Sequence, residues 1–215
     1  MNVTAPSLSE LLKTKLLGAV LATHAWRGDE TVTVRPEKLL EAARLLREDP
    51  EFQMNFLMDL SAVDYSAFGK TLKGQGAHAN TGIAVRQPMN LPDEACPERS
   101  SPFDLAQGER SRREPWPGPA TAARFEVVYH FFSLPLKARI RVKVPVEESR
   151  PELESLTSLW ASADWFEREI WDMFGIRFRG HTNLKRILMY EEFQGHPLRK
   201  DYPVNKRQPL IGPVN

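Results

Sequence analysis

At 215 residues with a formal net charge of +1, the chain has room for one domain with extensions or two small ones, and its charge balance argues against a bulk nucleic-acid binder, which carries a strong basic excess. Hydrophobic residues make up 41% and charged residues 27%, as in a soluble globular protein, and no run of ~18 apolar residues is present to span a bilayer. The single cysteine, Cys96, excludes an internal disulfide, a CxxC redox motif and a cysteine-held iron–sulfur cluster, which takes about four protein ligands.

Residues Met1 to Thr4 carry no basic region or apolar stretch, so no secretory leader is expected there. Ser7-Leu8-Ser9-Glu10 has capping-box spacing, and Leu8, Leu11, Leu12, Leu16 and Val20 repeat at helical intervals, which predicts a helix from about 8 to 21. Thr31 to Val34 is β-branched throughout and predicts a short strand. Pro36 suits the first turn of a second helix whose apolar stripe is Leu39, Leu40, Ala43, Leu45 and Leu46, closed by Asp49-Pro50. Residues 54 to 65 predict a strand.

Residues 66 to 123 differ in kind. Pro, Arg, Ser, Gly and Glu dominate, and large apolar residues are few, so the segment cannot bury enough surface to offset its ordering entropy. It reads as a low-complexity, mobile insertion between two strands, tolerable because loop closure grows costly only logarithmically with length. Arg124 to Ser133 and Lys137 to Val146 predict two further strands, joined closely enough to pair as a hairpin; in the second, Ala138, Ile140, Val142 and Val144 alternate with Arg139, Arg141 and Lys143. Ser149-Arg150-Pro151-Glu152, followed by Leu153, Leu156, Leu159 and Trp160, predicts a helix. Asp164-Trp165-Phe166-Glu167 repeats the capping spacing and opens another, with Phe166, Ile170, Met173 and Phe174 on one face and Gly175 placed to end it. Strands and helices in this order, without βα alternation, indicate an α+β fold: an antiparallel sheet of about four strands packed by helices, with a long extended C-terminal tail.

After Gly175 no period holds, yet Ile176, Phe178, Leu184, Ile187, Leu188, Met189, Tyr190 and Phe193 follow. An irregular tail with that much apolar surface must bury it, and a partner protein is a candidate wall. Pro197, Pro203, Pro209 and Pro213 stiffen it and lower the entropy lost on docking. The organisation expected is an α+β domain over 1–174, interrupted by the insertion, and a docking arm over 175–215. A disordered basic terminus is the competing reading, and beyond Pro203 the two are close.

The runs Glu167-Arg168-Glu169, Asp172-Met173-Phe174-Gly175, His181, Lys185 and Ile187-Leu188, then Gly195 to Pro203, together with Leu57 to Tyr65 and Arg124 to His130, resemble the small peripheral-arm subunit (the C-type subunit) of bacterial NADH:quinone oxidoreductase, respiratory complex I. Thr182-Asn183 departs from the family, where Pro usually follows the first tail histidine, and the long insertion stands where a short connection is expected. The resemblance implies a non-redox structural subunit of the hydrophilic arm, in a translocase that passes electrons from NADH through FMN and iron–sulfur clusters to quinone and couples this to proton translocation. It implies no cofactor in this chain, FMN, clusters and quinone residing in partner subunits. It implies a hetero-oligomer in which the chain docks the large quinone-site (D-type) subunit. It also implies a peripheral place on the cytoplasmic face of the inner membrane, held only through the complex. The corresponding subunit of a membrane-bound hydrogenase or ferredoxin-driven complex is the near alternative. A stand-alone nucleic-acid-binding module using the basic tail is the distant one, disfavoured by the near-neutral charge.

No catalytic, cofactor-binding or metal residue is expected. Gly74-Gln75-Gly76-Ala77-His78-Ala79 mimics a dinucleotide fingerprint but lacks its strand and helix context. His181 and His196 lack helix-spaced donor partners and read as exposed or hydrogen-bonded histidines. Glu167, Glu169 and Asp172 have Arg168, Arg177 and Arg186 near in sequence, so all three are expected to stay ionised in ion pairs, Arg168 with Asp172 or with a partner's acid. The expected subunit-interface residues are Glu167, Arg168, Glu169, Trp171, Asp172, Phe174, Gly175, His181, Arg186, His196, Pro197, Arg199, Lys200, Asp201 and Tyr202.

Overall fold

A computed structural model describes residues 7–26, 28–67 and 120–209, all within one structural unit. The insertion therefore lies outside the described residues except at its two ends, as do Gly74–Ala79, Cys96 and the last six positions.

Helix α1 (Leu8–Lys15) begins as its sequence predicts, Ser7 accepting the Glu10 N–H at 3.2 Å. The other free amides of that end, Leu8 and Ser9, go to the Glu30 carboxylate at 3.3 and 2.7 Å. The helix is shorter than its leucine spacing suggests. Gly18 turns the chain with φ +80°, and Val20 enters strand β1 (Val20–Trp26), which pairs antiparallel with β2 (Asp29–Val34). Val20 thus belongs to a hairpin rather than to the helix. A single 3₁₀ turn at Pro36–Lys38 leads into α2 (Leu39–Glu48), which buries Leu39, Ala42, Ala43 and Leu46.

Strands β3 (Phe56–Asp64), β4 (Phe125–Ser133) and β5 (Ala138–Val146) fall where the sequence places them, and β4 and β5 form the expected antiparallel hairpin. The five-stranded sheet runs β1-β2-β5-β4-β3. It is antiparallel except for the β2–β5 join, where Val32 faces Val142 in a parallel register. The α+β class stands; the expected sheet of about four antiparallel strands has a fifth strand, β1, and one parallel pair. One face carries Val32, Val34, Leu57, Leu60, Phe125, Val127, Tyr129, Phe131, Ile140, Val142 and Val144, which join buried residues of the helices in a single core.

The segment after β5 departs from prediction. Glu152–Glu154 is a short strand, β6, parallel to β7 (Arg177–Arg179), and turns replace the expected helix. Leu153, Leu156 and Trp160 are buried as their spacing suggested, but in turn geometry, with the Trp160 indole N–H donating to the Met54 carbonyl at 3.1 Å. Helix α3 (Ala163–Phe174) opens one residue before the predicted cap and closes at Gly175 with φ +74°. From Gly180 to Pro209 the backbone forms turns and no helix or strand. Ile176 and Phe178 enter the core of the body, and Leu184 and Met189 pack against it. No helix among the described residues is long and apolar enough to cross a membrane.

Candidate functional site

The residues singled out in the sequence converge on the C-terminal half of α3 and the irregular segment folded across it. Asp172 is the hub. Its Oδ2 accepts the successive backbone N–H groups of Ile187, Leu188 and Met189 at 3.2, 2.9 and 2.9 Å. Three consecutive amides turned on one carboxylate form an anion nest. Oδ1 accepts Arg186 Nη1 at 2.5 Å, and Arg186 Nη2 reaches on to the carbonyls of Phe193 and Gly195 at 3.0 and 3.3 Å. Burial by itself would raise this carboxyl, but the amides of Met189, Leu188 and Ile187 and the Arg186 guanidinium hold it below the usual carboxylate range.

The same segment closes the end of α3. A helix leaves its last carbonyls without partners. Here Gly175 N–H returns to Trp171, His196 Nδ1–H donates to the Asp172 carbonyl at 3.0 Å, Leu198 N–H to Met173 at 3.1 Å, and Arg199 Nε to Phe174 at 2.5 Å. A Cβ on Gly175 would lie 2.5 Å from His196 Nε2 and 2.7 Å from an Arg199 nitrogen, so the close approach needs glycine there for space as well as for φ.

Further along, the arm reaches β3 and β4. Asp64, buried at the end of β3, accepts Arg124 Nε and Nη2 at 3.3 and 3.0 Å and the Lys200 and Ser66 N–H groups at 2.9 Å each. Arg124 also pairs with Asp201 at 2.7 Å and with Glu148. Burial pushes Asp64 up, yet Arg124 and the two amides outweigh it and bring the carboxyl down to about 2. Neither Asp64 nor Arg124 is among the site residues expected from sequence. Both stand in the family-like runs Leu57–Tyr65 and Arg124–His130, and an acid at the end of a mostly apolar strand was the available signal.

Arg168 does not pair with Asp172. Asp172 belongs to Arg186, and Arg168, only 7% exposed, donates to the carbonyls of Lys185 and Arg186 at 3.2 and 3.5 Å, with Asp164 at 3.9 Å and the Trp165 ring beside it. His181 Nε2 lies 3.2 Å from both the carbonyl and the carboxylate of Asp164, while its Nδ1 accepts the Asn183 N–H, so the neutral ring carries its proton on Nε2. His196 is pushed down by burial and by Arg199 and Arg186. Tyr202 stacks on Phe193, and Arg186 lies over both Trp171 and Phe193.

The expectation that neighbouring cations keep all three helix acids ionised fails at Glu167. No cation among the described residues reaches it; it is 0% exposed and accepts the Leu156 N–H and the Ser155 hydroxyl, both at 2.7 Å. Burial pushes its carboxyl up to about 7. Glu167, Asp172 and Phe174 are enclosed by this chain, so they act on a neighbouring surface only through the backbone they hold. Glu169 and Lys200 are exposed, Trp171 and Pro197 half-buried. The apolar side chains left outward here are Trp165 (64% exposed), Leu188 (56%), Leu198 (50%) and Val204 (93%). Among the described residues no three His, Cys, Asp or Glu side chains gather as metal donors.

Residues 32–208 match the family model described as the respiratory-chain NADH dehydrogenase, 30 Kd subunit. The NADH-quinone oxidoreductase C subunit of Roseiflexus sp. (strain RS-1) is 38% identical over 97% of this chain and 89% of its own length. The equivalent C subunit of Citrifermentans bemidjiense is 38% identical over 94% and 92% respectively. A chain of an archaeal respiratory membrane complex, the membrane-bound sulfane sulfur reductase, shares the fold at a TM-score of 0.53 and 16% identity, covering 91% of this chain and 84% of that one. With strands β3 to β7, helices α2 and α3 and nearly all of the arm inside the matched span, the chain belongs to the 30 Kd subunit family of respiratory-chain NADH dehydrogenases.

Proposed function

We propose that this chain is a structural subunit of the hydrophilic arm of a proton-translocating NADH:quinone oxidoreductase, where it docks and supports the large quinone-site subunit. The described part of the 1–174 body serves as the base and the 175–215 arm as the docking element. One observation carries the reading: between Gly180 and Pro209 the arm has no helix or strand and is held in a single path by side chains that bond its backbone, while Trp165, Leu188, Leu198 and Val204 point outward. Side chains that stiffen a segment before it binds reduce the ordering cost of binding, and outward apolar groups supply the contact. Exposed Glu169 and Lys200 border that surface, and Arg199, Asp201 and Tyr202 hold its shape.

The chain carries no redox step in this reading. Electrons pass from NADH through FMN and iron–sulfur clusters to quinone in partner subunits, consistent with one cysteine in the whole sequence. Its place at the cytoplasmic face of the membrane is peripheral and depends on the assembly. The test is affinity recovery of tagged chain from gently solubilised membranes, with a photo-crosslinker at position 198. Recovery with flavin- and cluster-bearing proteins and a cross-link to the quinone-site subunit are expected. Recovery of the chain alone refutes the proposal.

A further inference from the structure

The first acid of α3 to reach the core, Glu167, is used neither by the arm nor by the surface. We propose that Glu167 is a proton-binding site of the body, reached from the surface through the hydroxyls of Ser155 and Thr157, whose occupancy sets how firmly α3 is joined to the 155–157 turn. The carboxyl sits at that junction, fully buried, with no ion pair to Lys, Arg or His among the described residues. The groups around it are neutral or alike in charge. Tyr129 faces it from β4 with a buried hydroxyl that has no hydrogen-bond partner, and Asp164 lies one turn back on the same helix. Arg168 is turned away to the Lys185 and Arg186 carbonyls, and on the β6–β7 side Arg179 is paired with Glu154 at 2.6 Å.

The hydroxyl chain fits both protonation states. As carboxylate, Glu167 accepts Leu156 N–H at Oε1 and Ser155 O–H at Oε2, and Thr157 O–H can donate to Ser155 Oγ, 2.8 Å away. As carboxylic acid, Oε1 keeps the Leu156 N–H, Oε2–H donates to Ser155 Oγ, and Ser155 O–H turns to Thr157 Oγ1. A proton taken up at half-buried Thr157 moves each hydroxyl proton one place inward and delivers one to Oε2. Two hydrogen bonds reverse and none is lost, so Glu167, Ser155 and Thr157 stay bonded to one another in both states.

Burial lifts the carboxyl to about 7, so occupancy changes around neutral pH. The unfolded carboxyl titrates near 4.5. A folded value raised above the unfolded one gives stability that is fully present below about 4.5 and lost as pH rises through 7. Between those limits unfolding releases one proton, and the unfolding constant rises about tenfold per pH unit from this site. His130 and His196, both pushed down by burial, act in the opposite sense below 6.5, so the difference from a Gln variant isolates Glu167.

The direct experiment is a carbon-13 NMR titration of glutamate carboxyls in the full chain. One carboxyl titrating near pH 7, absent from Glu167→Gln and shifted upward in Ser155→Ala, is expected. In parallel, the wild type loses stability between pH 5 and 7.5 relative to Glu167→Gln. A Glu167 carboxyl that titrates below pH 5 overturns the proposal, and that wild-type measurement decides even where the variants fail to fold. A stability difference between wild type and Glu167→Gln that is flat across this range overturns it as well.

Discussion

The body and the arm are specified by different forces. In the body, residues of β2, β3, β4 and β5 and one stripe of each helix meet in an apolar core, and the backbone bonds to itself in ladders and helices. In the arm between Gly180 and Pro209 the backbone has no such ladder, and its N–H and C=O groups are taken by side chains that include Asp172, Asp64, Arg168 and Arg186, while Arg199 and His196 reach back from it to the end of α3. Apolar burial is additive and forgiving, whereas a polar hub fails when one member is removed, because the rest are left buried and unpaired. The two buried acids of α3 carry the contrast onto a single helix. Asp172 is surrounded by amides and a guanidinium and stays charged; Glu167, five residues earlier, faces the core and is poised to hold a proton.

Phe131→Ala, in the centre of the sheet, is expected to cost about 3–5 kcal/mol and to shift the whole denaturation curve of body and arm together. Asp172→Ala leaves Arg186 and three amides without their acceptor. It is expected to cost about 3 kcal/mol and, unlike Phe131→Ala, to open the arm selectively, seen as rapid trypsin cleavage at Arg186 or Arg199 while the body resists. An arm that stays protected in that variant breaks the distinction. Gly175→Ala forces a side chain into a left-handed position against His196 and should cost about 1–3 kcal/mol, read as a lower midpoint in urea.

Acid sharpens the comparison at the second anchor. Because the folded Asp64 carboxyl is lowered to about 2, its contribution is present above its unfolded value of 3.8 and is lost as pH falls through about 2. The amide resonances of Lys200 and Ser66 should move in that window; if they move near pH 4 instead, Arg124 does not hold this carboxylate. The smallest effect on stability is expected from Leu198→Ser, within about 0.5 kcal/mol, since the side chain is half exposed. The same change should reduce recovery of partner subunits, and unchanged recovery removes Leu198 from the docking surface.

The strand pair β4–β5 was legible because β5 alternates apolar and basic residues and a short link joins it to β4, and the end of α3 because Gly175 follows an apolar stripe. Strand β1 was not: Leu16 and Val20 continue the leucine spacing of α1, and only the turn at Gly18 separates them. Residues 149–160 misled for a similar reason. Leu153, Leu156 and Trp160 are core residues, and burial at spacings of three and four imitates a helix when turns deliver the side chains. At the site, the concentration of charge and aromatic residues over 165–203 was visible, but not the pairing. Sequence proximity suggested Arg168 for Asp172, while the chain reversal at Gly175 brings Arg186 there instead.

Residue order by itself determined the α+β class, the hairpin, the extent of α3 and the family, because local periods and turn residues act over a few positions and survive in a one-dimensional pattern. Which acid meets which cation, which groups close the helix end and which carboxyl is left without a charge partner were decided only by the tertiary fold. The contacts of Asp172 with Arg186 and of Asp64 with Lys200 join residues 14 and 136 positions apart, and an ionisable group responds to the solvent and charges it finds in space rather than to its neighbours along the chain.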